Sequence, residues 1–303
     1  MSGPSPSVPA SPPRANAESP AWFTVRVEDD GKLPARGDSK IIFHGVNKSG
    51  SLCLADVMLE AYTAEGRKAQ FHSHYHTRGI PFAGFYARTN ETPPPAFFVG
   101  HQLFGNVDLR DSAAVMITQF RHPLPRMISC HAWLRRKQIA ETGSAEGFPD
   151  FATFIKEGAG KSHSQIVQFC ADCGEDKRRL ITKLSTRELF ERSIENIERD
   201  VTFAGIAELF EESIFAVAHL CGIHRVPAWK RDERNAGRPA ASTLSPADVE
   251  LLEDRYRYDF ELYAWARKRF ANLLAQIKIG GDIDAYRQAC VSEYKDRLLT
   301  DDP

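Results

Sequence analysis

The chain has 303 residues, 42% hydrophobic and 26% charged, the proportions of an ordinary globular protein. Its 39 Lys and Arg against 40 Asp and Glu leave a net charge of -1, which argues against wholesale binding to nucleic acid or to an anionic membrane. Apolar runs of about eighteen residues are missing from the sequence, so no membrane span is expected. Residues 1–20 carry Pro4, Pro6, Pro9, Pro12, Pro13 and Pro20 among several serines. Such a segment cannot bury enough apolar surface to order itself, and it is expected to be disordered. It lacks the apolar stretch of a secretory signal. A cytoplasmic location is therefore expected, with the six cysteines reduced and residues 21–303 forming one domain. Cys170 and Cys173 form a lone CxxC without a second ligand pair at zinc spacing, and no metal is expected there.

In chain order, Lys40 to His44 reads as a strand and Ser51 to Tyr62 as a helix with Leu52, Val57 and Leu59 among its apolar positions. Ala69 to Tyr75 is a weaker strand, and Ala96 to Val99 another. Ala113 to Phe120 is a near-continuous apolar run, the pattern of a strand covered on both faces in a parallel sheet. Pro123 marks a helix start, and Arg126 to Ile139 has helical period. Val201 to Ile206 reads as a strand, followed by a helix from Glu208 to Leu220 that ends at Gly222. Ser245-Pro246 caps a long helix running to Ile277. Strands alternating with helices predict an α/β fold around a central parallel sheet flanked by helices. Ligands of such sheets bind at the carboxyl ends of the strands. If their strands are neighbours, that rule brings the 47–51 loop, His101 and Arg121 to one edge.

The stretch Ile41–Leu59, IIFHGVNKSGSLCLADVML, is a buried strand, a small-residue loop and a helix N-terminus, an arrangement suited to an anion. Gly45 and Gly50 have the separation of a nucleotide-kinase loop, but Ser51-Leu52 stands where Lys-Ser/Thr is required, and Lys48 precedes the second glycine. The order Asn47-Lys48-Ser49-Gly50-Ser51 instead resembles the 5′-phosphosulfate loop of sulfotransferases that use 3′-phosphoadenosine 5′-phosphosulfate (PAPS). MITQFRHPLPRMISCHAWL is similar to the 3′-phosphate element of the same family, with Arg121, Pro123, Arg126 and Ser129 in its places. An arginine at a strand end presents a fork of donors suited to phosphate, and a serine on the next helix adds a hydroxyl. A salt bridge is the alternative for either arginine.

GHQLFG at 100–105 resembles the Gly-His segment of the branch containing heparan sulfate 2-O-sulfotransferase and bacterial carbohydrate sulfotransferases. FAGIAELFEESI and YRYDFELYAWARKRF also look like stretches of that branch. The sequence departs from the family at Asn47, where proline is usual, and at His122, where aspartate is usual. The resemblance implies a single P-loop-like domain that moves a sulfuryl group from PAPS to a hydroxyl of a carbohydrate or small metabolite, with no metal required.

In-line displacement at sulfur needs a fixed cation where charge grows on the bridging oxygen, and Lys48 is expected to supply it. Asn47 and the backbone N–H groups of Ser49, Gly50, Ser51 and Leu52 would cradle the 5′-phosphate, while Arg121 and Ser129 would take the 3′-phosphate. The resemblance implies that His101 is the base. His72, His74 and His76 in QFHSHYH alternate along a predicted strand and so share one face. That face reads as an acceptor pocket or rival base, as a solvated face, or as a metal site. The loop WKRDERNAGR, with Lys230, Arg231, Arg234 and Arg238, would either close over a nucleotide or remain a solvated basic surface. His163 and Gln165 in KSHSQ fall where relatives carry acceptor-side polar residues, with a plain polar loop as the default. His131 and Trp133 are expected to pack. Two other readings remain, a non-catalytic nucleotide- or carbohydrate-binding protein of the same fold and a nucleotide kinase.

Overall fold

A computed structural model describes residues 21–28, 31, 39–75, 82–92, 95–101, 103–106, 114–158, 164–229 and 244–290. The expectations for residues 1–20, His76, His163 and the basic loop from Lys230 to Arg238 lie outside these.

Five parallel strands form the central sheet: β2 (Lys40–His44), β3 (Phe71–Ser73), β4 (Ala96–Gly100), β5 (Ala114–Phe120) and β6 (Val201–Ile206). Every residue of β2 and β4 is buried, Lys40 and His44 at the two ends of β2 included, as expected of strands covered on both faces. The spatial order is β3-β4-β2-β5-β6. From β2 the chain moves out to β3, returns through β4 beside β2, and then crosses to β5 on the other side. β2 is therefore the switch strand, and its carboxyl end is where a crevice opens in a sheet of this kind. The register pairs His44 with Gly100 on one side and with Thr118 on the other, so the loops after β2, β4 and β5 leave from one edge.

A second sheet was absent from the sequence reading. β1 (Trp22–Glu28) pairs antiparallel with β7 (Arg225–Pro227) and with β8 (Lys278–Gly281). Val25 and Val27 point inward while Arg26 and Glu28 face water, the alternation of a half-buried strand.

Helix α1 (Ser51–Ala64) begins two residues beyond a buried Ser49, and α3 (Pro123–Thr142) starts on Pro123 as predicted. The predicted helix after β6 is α8 (Phe210–Leu220), entered through a single 3-10 turn at Ala207–Leu209. The long helix α9 (Pro246–Leu274) has a reciprocal Ser245–Asp248 capping box and Pro246 in its first turn. It bends at Tyr256, where φ is -116° and ψ is 22°. The described helices also include α2 (Phe82–Glu91), α4 (Phe151–Lys156), α5 (Gln165–Phe169), α6 (Lys177–Lys183), α7 (Thr186–Asp200) and α10 (Ile283–Ala289). Met127 and Cys130 of α3 pack with Phe154 and Ile155 of α4 and Leu252 and Tyr256 of α9 in a small separate core.

Candidate active site

The loop after β2 turns through two left-handed residues. Lys48 has φ 66° and Gly50 has φ 83°, and Lys48 is the only non-glycine with such a φ among the described residues. Holding a lysine there costs on the order of 1–3 kcal/mol, which the surrounding bonds must offset. Ser49 provides much of that hold. Its hydroxyl donates to Val46 O at 2.9 Å and its N–H to the same oxygen at 3.3 Å. Gln119 Nε2, from the end of β5, donates to Ser49 O at 2.7 Å. At Gly50 a Cβ would come within 3.2 Å of Gln119 Nε2, so close approach as well as φ favours glycine.

In the ligand-free structure the hydroxyl and N–H of Ser49 both bond Val46 O and its side chain is fully buried, so Ser49 shapes the loop. Gly50 stands at the N-cap of α1, no side chain caps that helix, and its first turn has no acidic residue. The first N–H groups of α1 are therefore left without a side-chain cap, at the positive end of the helix dipole.

Arg121 leaves the end of β5 almost fully buried, and its Nη1 donates to Lys48 O at 3.1 Å. Its backbone is clamped by the amide of Gln165, which accepts from Arg121 N at 3.1 Å and donates to Arg121 O at 3.0 Å. Gln165 is thus a buried support at the start of α5, whereas its sequence suggested a polar loop. His122 is the N-cap of α3, and its side chain does the capping: its Nδ1 accepts from Leu124 N at 3.3 Å. Glu208 Oε1 accepts from His122 N at 3.1 Å, and Tyr263 donates to Glu208 Oε2 at 3.0 Å. The two downstream stretches therefore brace the start of α3.

Arg126 is not a phosphate ligand. Its Nη2 is 2.8 Å from Asp259 Oδ2, and both side chains are removed from water. Asp259 also accepts from Ser164 Oγ at 2.6 Å and from the N–H groups of Gln165 and Ile166 at 3.0 and 3.1 Å, which fixes the start of α5. Ser129 lies one turn beyond on α3, buried, with Trp133 a further turn along on the same face. Lys48 Nζ is 5.5 Å from the centroid of the Trp133 ring. Trp133, expected to pack, is one of the most exposed large apolar side chains of the described residues. His131 does pack, against Phe148, Phe151 and Phe154, with Nε2 bonded to Pro149 O.

His101 follows β4. Its Nδ1 is 2.6 Å from Gly45 O, and a carbonyl can only accept, so Nδ1 carries the proton and the lone pair of the neutral ring lies on Nε2. The phenol of Tyr75 is 3.3 Å from the same Nδ1 and donates to Ser51 Oγ at 3.2 Å. Tyr75 belongs to the histidine-rich stretch, and no feature of that stretch singled it out.

The histidines themselves behave differently from the expectation of a shared face on one long strand. β3 ends at Ser73, so it covers only His72. His72 stacks on Phe98 with centroids 4.6 Å apart, and His74 sets its ring edge against Phe85. Burial lowers the pKa of both, with Arg88 adding to the effect at His72. Among the described residues no group of three His, Cys, Asp or Glu side chains is arranged to hold a metal. Cys170 is buried and Cys173 exposed, both as free thiols, and burial pushes the Cys170 thiol up.

The structure thus brings the Lys48 loop, His101, Arg121 and the Ser129 face of α3 to the carboxyl edge of β2, and turns His72 and His74 to packing. Tyr75 and Gln119, missed in sequence, and Gln165, named there without its supporting role, all act through partners distant along the chain. No protein-family model matches the chain, and no curated protein is significantly similar to it.

Proposed function

We propose that the chain is a PAPS-dependent sulfotransferase of P-loop-like fold acting on a hydroxyl, with a carbohydrate or small metabolite as acceptor. One observation carries the reading: the left-handed Lys48–Gly50 loop, the uncapped start of α1 and the Arg121 guanidinium converge at the end of the switch strand. Two anion-binding devices on neighbouring strands suit a ligand with phosphates at both ends of a nucleoside, whereas the lysine position of a kinase loop is occupied by Ser51.

The residues fit the nucleotide. The amides of Gly50, Ser51 and Leu52 and the Ser51 hydroxyl would receive the 5′-phosphate, with Asn47 beside them. Arg121 and Ser129 would receive the 3′-phosphate. Bound there, PAPS would supply the sulfuryl group. As the acceptor oxygen bonds to sulfur, His101 takes its proton at Nε2, the atom that the Gly45 contact leaves as acceptor. Lys48, whose Nζ lies 5.5 Å from the Trp133 ring, would hold the charge growing on the bridging oxygen of PAPS as the sulfur–oxygen bond breaks. The assignment needs no metal, and a cytoplasmic location suits the supply of PAPS.

Thermal melting in the presence of adenosine 3′,5′-bisphosphate tests this reading. A ligand that binds only the folded state raises the melting temperature. The bisphosphate should do so and ATP far less, and equal shifts would exclude a dedicated 3′-phosphate site. Labelled PAPS offered with a panel of glycans, phenols and small metabolites would identify the acceptor.

A further inference from the structure

Three hydroxyl and imidazole groups meet around Gly45, and they join the phosphate loop to the candidate base. Tyr75 lies two residues past the end of β3, and its ring rests edge-on against the His101 ring with centroids 4.8 Å apart. A Cβ on Gly45 would overlap the Tyr75 hydroxyl and would also approach Ser51 Oγ to 2.9 Å. The glycine is therefore required by the phenol that crosses it.

The proton directions follow from the acceptors. His101 Nδ1–H donates to Gly45 O at 2.6 Å, with Tyr75 Oη at 3.3 Å as a second acceptor. The Tyr75 O–H donates to Ser51 Oγ at 3.2 Å. Burial raises the phenol's pKa, so it stays a neutral donor. Ser51, the first residue of α1, donates only weakly, to Val46 O at 3.4 Å. A hydroxyl held by so long a bond is readily claimed by a phosphate oxygen arriving at the helix start.

We propose that Tyr75 is a positioning residue that couples the α1 phosphate cradle to the His101 imidazole, so that an anion taking the Ser51 hydroxyl also sets the direction of the base. Bonds in such a chain polarise one another: a Ser51 hydroxyl given to phosphate accepts more strongly from Tyr75, and Tyr75 then accepts more strongly from Nδ1–H. The purpose of the coupling rests on the sulfotransferase reading, while the linkage belongs to the ligand-free protein.

The test is nitrogen-15 NMR of the histidine side chains in the full chain, with the His101 signal identified by its loss in His101→Gln. Without ligand, Ser51→Ala should move the His101 signal although Ser51 does not touch it. Ser51→Thr, which keeps the hydroxyl, should restore it. In a Tyr75→Phe background Ser51→Ala should add no further change. An unmoved signal in Ser51→Ala, or the same movement with and without the Tyr75 hydroxyl, overturns the proposal. Saturating adenosine 3′,5′-bisphosphate should then shift His101 in the wild type and not in Tyr75→Phe, whose Kd stays within about twofold while kcat drops about tenfold at unchanged KM for PAPS. If the wild type binds no bisphosphate, the sulfotransferase reading fails, and the ligand-free comparison still decides the linkage.

Discussion

Arg126 and Asp259 form a fully buried ion pair, Nη2 to Oδ2 at 2.8 Å, between α3 and α9. Removing one partner of such a pair strands the other charge out of water and costs about 3–5 kcal/mol. Asp259→Ala should lower folding stability by that amount, because it also uncaps the start of α5. Arg126→Met combined with Asp259→Leu should recover a large part of the loss. Urea unfolding measures both, and an Asp259→Ala midpoint near that of the wild type would mean that the pair is not stabilising.

Lys48 and Arg121 should divide chemistry from binding. On the proposed reading Arg121 would face a charge that is present before and during reaction, so Arg121→Ala should mainly raise the Kd for adenosine 3′,5′-bisphosphate. On the same reading the charge opposite Lys48 would grow only as the bond breaks, so Lys48→Ala should reduce kcat more than Kd. Calorimetry with the bisphosphate and turnover with PAPS separate the two. An unchanged kcat in Lys48→Ala would remove the leaving-group role.

His101→Ala should cost about 10²- to 10⁴-fold in turnover, the usual worth of a general base, with little change in nucleotide affinity. His74→Ala is the comparison, since the His74 ring packs on Phe85. If His74→Ala abolished turnover and His101→Ala did not, the assignment of the base would be reversed.

His44 gives a pH signature of folding. It is the last residue of β2, fully buried, accepting from Phe104 N at 3.1 Å. Burial first, then the electrostatic influence of Lys177 and, less, of His101, holds its pKa well below the usual histidine value. The unfolded chain therefore binds a proton near pH 6.5 that the folded chain refuses. The stability is complete above that pH and is lost as pH falls below it, by up to about 1.4 kcal/mol per pH unit for one proton. His72 and His74 contribute with the same sign. His44→Asn, which keeps an acceptor for Phe104 and carries no charge, should flatten the difference in urea midpoint between pH 7 and pH 5. An equal pH slope in the variant would show that another group is responsible.

Elements with a strong local signal were legible in the sequence. β2 and β6 have their predicted bounds, β5 begins one residue later, and the Ser245-Pro246 cap starts α9. The Ser185–Glu188 capping box of α7 and the alternation of β1 were equally present as signals but were not read. The expected strand from Ala69 to Tyr75 shrank because a 3-10 turn occupies Lys68–Gln70 and pairing stops at Ser73. At the site, residues that act through their own loop were readable, as with Lys48 and Gly50. Gln119 and Gln165 reach partners 70 and 44 positions away, and Tyr75 reaches Ser51 across 24. Spacing within a motif carries no trace of such bonds; they exist only after the strands have been ordered.

The pairing of Arg126 with Asp259 spans 133 positions of the chain. During synthesis the segment bearing Arg121 and Ser129 emerges well before its counter-charge exists, and closing so long a loop is slow. Until α9 has been made, Arg126 must stay hydrated and α3 cannot settle against its neighbours. The region at the end of β2 is therefore among the last parts of the molecule to mature, and a nascent chain that stops short of residue 259 holds the Lys48–Gly50 loop without the buried pair that fixes α3 against α9.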